Sequence, residues 1–406
     1  MKNIKVNASL LKDINRKKIL SLIEDTEQIS RVEVKQILGK DGKTVTNITN
    51  SLIEDGLLSS IGYSTFTGGR RRELLTINPN FGYLIGIDLG INYIRGIVTD
   101  FKYNVLLKEK IPISPDEPQK SLLSKISKTL KFLVQGAKIP KDKLLGIGFV
   151  ANGFYDRVTG EWILSVNNYD WKNVPIRDYL SAQYDVPIFL EDSTRSMALA
   201  EKYFGIAKKS KNYIYLDIGV GVGCGIIQNN RLYRGASNVA GELGHTIIVP
   251  NGKVCSCGRK GCLETVSAGW AIIKEIKERI KNGSKTLIYD LCDGDLDELE
   301  TDMIVEAFIK GDKLVIDVMD SASEYLSIGI ANLINLFNPE SIIFGGQFAT
   351  LGDNYLTTLK EKLKKYTLPI SFKNVKIFAS SLDNNAAVLG AITLVRDPYF
   401  YINIGN

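Results

Sequence analysis

Two stretches of the chain repeat one pattern at a fixed offset. YLIGIDLGINYIRGIVTD (83–100) and NYIYLDIGVGVGCGIIQN (212–229) align 129 residues apart, so that Asp88, Gly90 and Gly96 correspond to Asp217, Gly219 and Gly225. Each reads as a strand, a DxG turn and a returning strand, and two such copies imply a duplicated α/β architecture of two lobes. Helical patterns at about 118–137, 193–205, 265–282 and 313–337, with strand-like LLGIGFV and SIIFGGQ, complete the lobes. A cleft between lobes is the expected ligand site. Glycine lets a DxG turn bring backbone amides close to a phosphate. The Asp217 copy is glycine-rich and suited to this, whereas the Asp88 copy continues DLGINY, where Ile91, Asn92 and Tyr93 put bulk into the space a phosphate needs.

The first eighty residues have a different texture. Leu10, Leu11, Ile14, Ile19, Leu22 and Ile23 recur at roughly helical spacing and give a first helix one apolar stripe. Ser30 followed by Glu33 has the form of a capping box, opening a second helix with Val34, Ile37 and Leu38 on its buried side before Gly39. A third helix is predicted over 43–55, with Val45, Ile48 and Leu52 inward and Lys43, Asn47 and Asn50 on the opposite face. Strand patterns at 57–63 and 72–77 flank a glycine-rich tip at 67–71.

Three helices and a basic hairpin form the pattern of a winged helix-turn-helix, whose third helix can enter the DNA major groove. The candidate DNA contacts on that helix are Lys43, Thr44, Thr46, Asn47 and Asn50. Asparagine pairs with adenine, threonine meets the thymine methyl, and lysine reaches phosphate or guanine. Arg70, Arg71 and Arg72 on the hairpin suit the backbone or minor groove. Charge points the same way: of a net +6, residues 1–80 supply +4, from 13 Lys and Arg against 9 Asp and Glu.

The only histidine, His245, lies ten residues before Cys255 in GELGHTIIVPNGKVCSCGRKGCLE (241–264). With Cys257 and Cys262, one imidazole and three thiolates complete a tetrahedral Zn²⁺ site with no open position, so the expected ion is structural rather than hydrolytic. Gly258 and Gly261 allow the turn that returns two sulfurs to one ion. Cys224 and Cys292 stand alone and read as small buried hydrophobes. The N-terminus lacks the apolar core of a secretion signal, and no stretch approaches the ~18 uncharged apolar residues of a membrane span. A cytoplasmic protein without a disulfide framework or membrane partner is expected. At 406 residues, 44% hydrophobic and 24% charged, the chain has the length and balance for buried cores, which excludes a low-complexity structural role.

With these motifs in place, the sequence resembles the ROK group of repressors, open reading frames and sugar kinases over nearly the whole chain. The resemblance rests on GELGH followed by CSCGRKGCLE, on the two DxG segments, and on a winged helix in front, an addition found in the repressor branch. Within that branch it is similar to the xylose-repressor type of low-GC bacteria. The resemblance implies an α/β chain: a winged helix-turn-helix followed by the two-lobed, actin-like (ribonuclease-H-like) sugar-kinase fold. The parts would be 1–80, a first lobe at 81–205 completed by 385–406, and a second lobe at 206–384 with the zinc motif. It also implies sugar contacts at Asn167 in SVNNYDW, Glu242, His245 and Glu264, with Asp192 beside them, so that zinc orders the loop that reads the sugar.

Two departures weigh against catalysis. Family kinases carry an aspartate base in a segment like ENDAN; here the stretch is EDSTRSMALAE, and counting back from Glu201 puts Ser193 at the aspartate and Arg195 at the second asparagine. A serine without a partnered base does not readily take a proton from a sugar hydroxyl, though Asp192 is adjacent. The other departure is DLGINY where family kinases have DxGGTK. Phosphoryl transfer is therefore expected to be absent. The expectation is a non-enzymatic, sugar-responsive repressor of sugar-utilisation genes, released when sugar enters the interlobe cleft; an ATP-dependent sugar kinase is the alternative. A palindromic operator read by two recognition helices implies a homodimer or higher oligomer.

Overall fold

The computed structural model describes residues 8–63, 71–165, 170–382 and 384–401. At the N-terminus, α1 (Ala8–Thr26), α2 (Arg31–Leu38) and α3 (Gly42–Glu54) bury Ile19, Leu20, Ile23, Val34, Val45, Ile48 and Leu52. The capping box is formed: Ser30 Oγ accepts from the Glu33 N–H at 3.4 Å, and Glu33 Oε2 accepts from the Ser30 N–H at 2.9 Å. Gly39 closes α2 at φ 60°, a left-handed position that suits glycine. An antiparallel sheet completes the wing, with β1 (Ile29–Ser30) and β2 (Leu58–Tyr63) on either side of β3 (Glu73–Ile77).

Two apolar assignments change. Ile37 is 59% exposed, because the eight-residue α2 is too short to bury more than Val34 along its one packed face. Leu11 is 49% exposed, and Leu20 takes its place in the α1 stripe.

The strand patterns around the DxG turns produce two five-stranded sheets with one strand order. In the first, β4 (Tyr83–Leu89) is antiparallel to β5 (Tyr93–Asp100), which leads to β6 (Val105–Pro112), while β7 (Leu144–Ala151) runs parallel to β4 on its other side. A small antiparallel sheet of β8 (Phe154–Tyr155), β9 (Trp162–Leu164) and β10 (Lys172–Val174), followed by α5 (Ile176–Ser181), precedes the outer strand β11 (Ile188–Asp192). In the second large sheet, β12 (Tyr213–Ile218) is antiparallel to β13 (Val222–Gln228), which leads to β14 (Arg231–Leu232). On the far side of β12, β15 (Ser341–Gly345) and β16 (Lys376–Ala379) run parallel.

Each large sheet has its own core. The first buries Leu122, Ile126, Leu130 and Leu133 of α4 (Gln119–Gly136). The second buries a long stripe of the Lys313–Phe337 helix, with Cys224 and Cys292 at 3% and 4% exposure. The chain divides into two compact units, Met1–Glu191 with Ala391–Asn406, and Asp192–Gly390. Among the described residues, no helix is long and apolar enough to cross a membrane.

One equivalence drawn from sequence fails. Leu89 pairs with Ile94, leaving Gly90 to Tyr93 in the first turn, whereas Ile218 pairs with Val222, leaving only Gly219 to Gly221 in the second. The first turn is one residue longer, so Gly96, opposite Ile87, matches Cys224, opposite Leu216, and not Gly225.

Candidate functional site

Asp41 caps α3, accepting from the Thr44 N–H at 2.8 Å. Burial of Val45, Ile48, Thr49 and Leu52 leaves Lys43, Thr46, Asn47 and Asn50 exposed and Thr44 half-buried. Asn50 is held in place: its Oδ1 accepts from Arg31 Nη2 at 3.0 Å, while Arg31 also donates to Thr49 Oγ1 at 2.9 Å and pairs with Glu73. Arg31 thus ties α2, α3 and β3 together. The sequence reading missed it because its partners lie 18 to 42 residues away. Arg71 and Arg72 are exposed just before β3, and Arg70 lies outside the described residues.

In the second unit, His245 Nδ1 is 3.6 Å from Cys255 Sγ, and Cys257 Sγ is 3.6 Å from Cys262 Sγ. All four ligand atoms fall within 4.8 Å of one another. A tetrahedral ion with sulfurs at ~2.3 Å spaces them about 3.8 Å apart, so the donor set fits a divalent ion such as zinc. Bridges Ile247↔Cys262 and Val254↔Lys260 shape the turn. Glycine is required at 261, where φ is 81° and a Cβ would stand 1.9 Å from the Val249 carbonyl oxygen. Hydrogen bonds from the Arg259 backbone and guanidinium draw the Cys257 thiol down to about 6. Burial pushes its neighbour Cys262 the other way.

Glu264 joins this turn to the second DxG loop. Its Oε1 accepts from the Val222 N–H at 3.1 Å, and its Oε2 lies 3.9 Å from His245 Nδ1. Because Nδ1 faces the sulfur side, the other imidazole nitrogen is the one left for a ligand. Asp192 caps α6 (Ser193–Tyr203) by accepting from the Arg195 N–H at 3.1 Å. Burial, then the charge of Asp192, pushes Asp217 up to about 6. Burial and Asp192 also raise Glu242, while His245 and the nearly buried Arg195 act in the opposite sense. The structure therefore brings Asp192, Glu242, His245 and Glu264 into one electrostatic group, joined by Asp217 and Arg195. Asn167 lies outside the described residues.

Ser193 opens α6 at 4% exposure, with the Asp192 carboxylate turned to the helix N–H groups. Glu201, the last residue of EDSTRSMALAE, is fully buried and structural, accepting from the Ile206 N–H at 3.0 Å and from Ser380 Oγ. In the first DxG turn, a Cβ on Gly90 would stand 2.5 Å from the Tyr93 ring, which lies under Arg95 at 4.4 Å and Lys110 at 5.0 Å. Tyr93 therefore fills that turn. In the second, the Gly219 N–H already donates to the Gly221 oxygen at 3.2 Å and the Val222 N–H to Glu264, so two of its amides are committed within the protein.

A winged helix ahead of two sheets of the same order, one carrying a Cys3His turn, defines an α/β protein of the sugar-kinase type with an added DNA-binding module. The ROK family profile matches residues 84–398, and the chain belongs to the ROK family. It is 35% identical over 389 residues to a xylose repressor from Caldicellulosiruptor bescii, covering 96% of this chain and 97% of that protein. An N-acetylglucosamine repressor from Escherichia coli O157:H7 is 30% identical over 391 residues, covering 96% and 94%. Among solved structures, a ROK family transcriptional regulator described as a homolog of the E. coli MLC protein gives a TM-score of 0.82 at 28% identity, over 96% of this chain and 97% of that one. A ROK family glucokinase from Streptomyces griseus gives 0.68 at 27%, over 78% and 100%. The whole glucokinase is matched by part of this chain, and the family profile begins only after the winged helix.

Proposed function

We propose that this protein is a sugar-responsive transcriptional repressor without kinase activity, acting in the cytoplasm as a homodimer or higher oligomer on operator DNA. The observation that carries the reading is the exposed Lys43, Thr46, Asn47 and Asn50 face of α3, in a chain matched along 96% of its length by proteins named as repressors. Tyr93 in the first DxG turn and Ser193 at the expected base position support the loss of phosphoryl transfer.

In this reading, residues 1–80 bind DNA, and of the two sugar-kinase-type lobes that follow, the one with the Cys3His turn carries a structural zinc. Asp192, Glu242, His245 and Glu264, with Asn167, hold the sugar hydroxyls. Xylose is the first effector to test, since two kinds of relative are named for xylose and for N-acetylglucosamine. Sugar releases DNA by binding the low-affinity state preferentially.

The test is a titration of labelled duplexes from upstream of the chain's own gene at stated salt, with and without a sugar panel. Specific binding weakened by one sugar is expected, and Asn47→Ala should weaken it by ~1–3 kcal/mol. Sugar-dependent ADP release in a coupled assay, abolished by Asp192→Asn, would overturn the reading.

A further inference from the structure

The terminal helix Ala386–Phe400 runs through the boundary between the two compact units, which falls between Gly390 and Ala391. Near its start, the Ala387 oxygen accepts from Ser196 Oγ at 2.8 Å, and a Cβ on Gly390 would stand 1.9 Å from the Ser196 oxygen. Ser196 belongs to α6, the helix capped by Asp192 of the acidic group. Farther along, Arg396 is 1% exposed and donates both terminal nitrogens to the Glu24 carboxylate of α1, at 2.6 and 2.7 Å. The same guanidinium lies over the rings of Phe101, Tyr103 and Phe400 at 4.9, 4.3 and 4.4 Å. Lys17 of α1 donates to the Pro398 and Tyr401 oxygens at 2.8 and 2.7 Å.

α1 in turn holds the recognition helix. Arg16 donates to Ser51 Oγ at 2.7 Å and to Asp55 Oδ2 at 2.5 Å, at the end of α3. Ile19, Leu20 and Ile23 pack α1 into the winged-helix core. An apolar contact would join α1 to the terminal helix at least as firmly as a buried ion pair. What a bidentate pair adds is geometry: two parallel hydrogen bonds fix both the distance and the angle between the elements.

We propose that the terminal helix and α1 form a coupling arm that passes the ligand state of the second unit to α3, with Glu24 and Arg396 as its positioning pair. The proposal rests on the regulator reading, and it names the residues through which that regulation acts. Spatial succession alone does not establish coupling, so the test measures coupling itself.

Wild type, Glu24→Gln, Arg396→Met and Lys17→Met are compared in three measurements: operator affinity with and without D-xylose, D-xylose affinity by calorimetry, and hydrogen exchange without DNA, in the absence and presence of D-xylose. N-acetylglucosamine serves as the second sugar probe. The variants should bind sugar within about twofold of wild type, while the sugar-dependent fall in operator affinity shrinks by about tenfold or more. Exchange in α1 and α3 should speed up about tenfold, with β12 to β16 unchanged. A full sugar response in Glu24→Gln and Lys17→Met would overturn the arm. If wild type itself shows no operator binding or no sugar response, the regulator reading fails, and exchange decides the arm separately. A sugar-induced change in α3 protection that the variants lose supports it; no such change, or one that the variants retain, overturns it.

Discussion

The turn between β4 and β5 holds four residues inside its closing pair, Gly90 to Tyr93, and the turn between β12 and β13 holds three, Gly219 to Gly221. A one-residue slip along a strand moves every following side chain to the other face of the sheet. Gly96 accordingly faces α4, where a Cβ would meet Leu133 and Thr129, while Gly225 faces α6, where it would meet Ala198. The longer turn also accommodates Tyr93 under Arg95, and the shorter one leaves Val222 free to donate to Glu264. The two copies share one sheet order and differ by one turn residue: in the first the turn is filled by Tyr93, and in the second it is tied to the candidate site through Glu264.

The largest effect expected from breaking this asymmetry comes at the metal. Cys257→Ser, or a strong chelator, should remove the ion from the second unit and destabilise it by ~3 kcal/mol or more, a fall in Tm of at least ~6 °C, with hydrogen exchange in the first sheet unchanged. Elemental analysis checks it directly, and unchanged metal content refutes the Cys3His assignment. The next is a paired substitution. Gly225→Ala places a methyl 2.5 Å from Ala198 Cβ and 3.1 Å from the Thr194 backbone oxygen, whereas Gly96→Ala meets side-chain ends alone, those of Leu133 and Thr129 at 2.7 Å and of Ile87 at 3.1 Å. Urea melts should show about 2 kcal/mol lost in the first variant and about 1 in the second. Equal losses would erase the distinction between the faces.

Asp217 gives a smaller, pH-dependent effect. Its folded pKa of about 6 stands above the ordinary 3.8, so the folded state binds the proton more tightly. Stability from this group is therefore greatest below about 4, falls as pH rises from 4 to 6, and stays reduced above 6. Asp217→Asn should flatten that slope and gain about 1 kcal/mol at pH 7.5, after discounting for the partial exposure of the side chain. Melts at pH 4.5 and 7.5 that retain the wild-type slope would locate the effect elsewhere. Smallest is Tyr93→Ala, which removes the ring beneath Arg95 and should lose ~0.5–1 kcal/mol without creating sugar-dependent ADP release. Turnover appearing in that variant would mean that Tyr93 alone had been suppressing catalysis.

Features encoded over short distances were legible in the sequence. The Val45, Ile48 and Leu52 stripe placed α3 to within a residue at each end, and the Lys313–Phe337 helix matched its periodicity at both ends. The four side chains of the candidate metal site lie within eighteen residues of chain, so one turn suffices to gather them. Ile37 was misread because periodicity reports which residues share a face, not whether anything packs on that face. The slip at the first DxG turn was hidden because an alignment by identity passes through Gly96 and Gly225 whichever way they point. The pairing of Glu24 with Arg396 spans 372 positions and leaves no local signature. Glu242, His245 and Glu264 follow from the resemblance and Asp192 from its place beside Ser193, while their mutual electrostatics is visible only in three dimensions.

Glu264 has one carboxylate and two attachments, the Val222 amide on one side and the vicinity of His245 on the other. In the proposed reading, a sugar that draws on that carboxylate alters how firmly the neighbouring imidazole is held, and linkage makes the influence mutual. The affinity of the site for its ion then becomes a gauge of effector occupancy, readable without DNA.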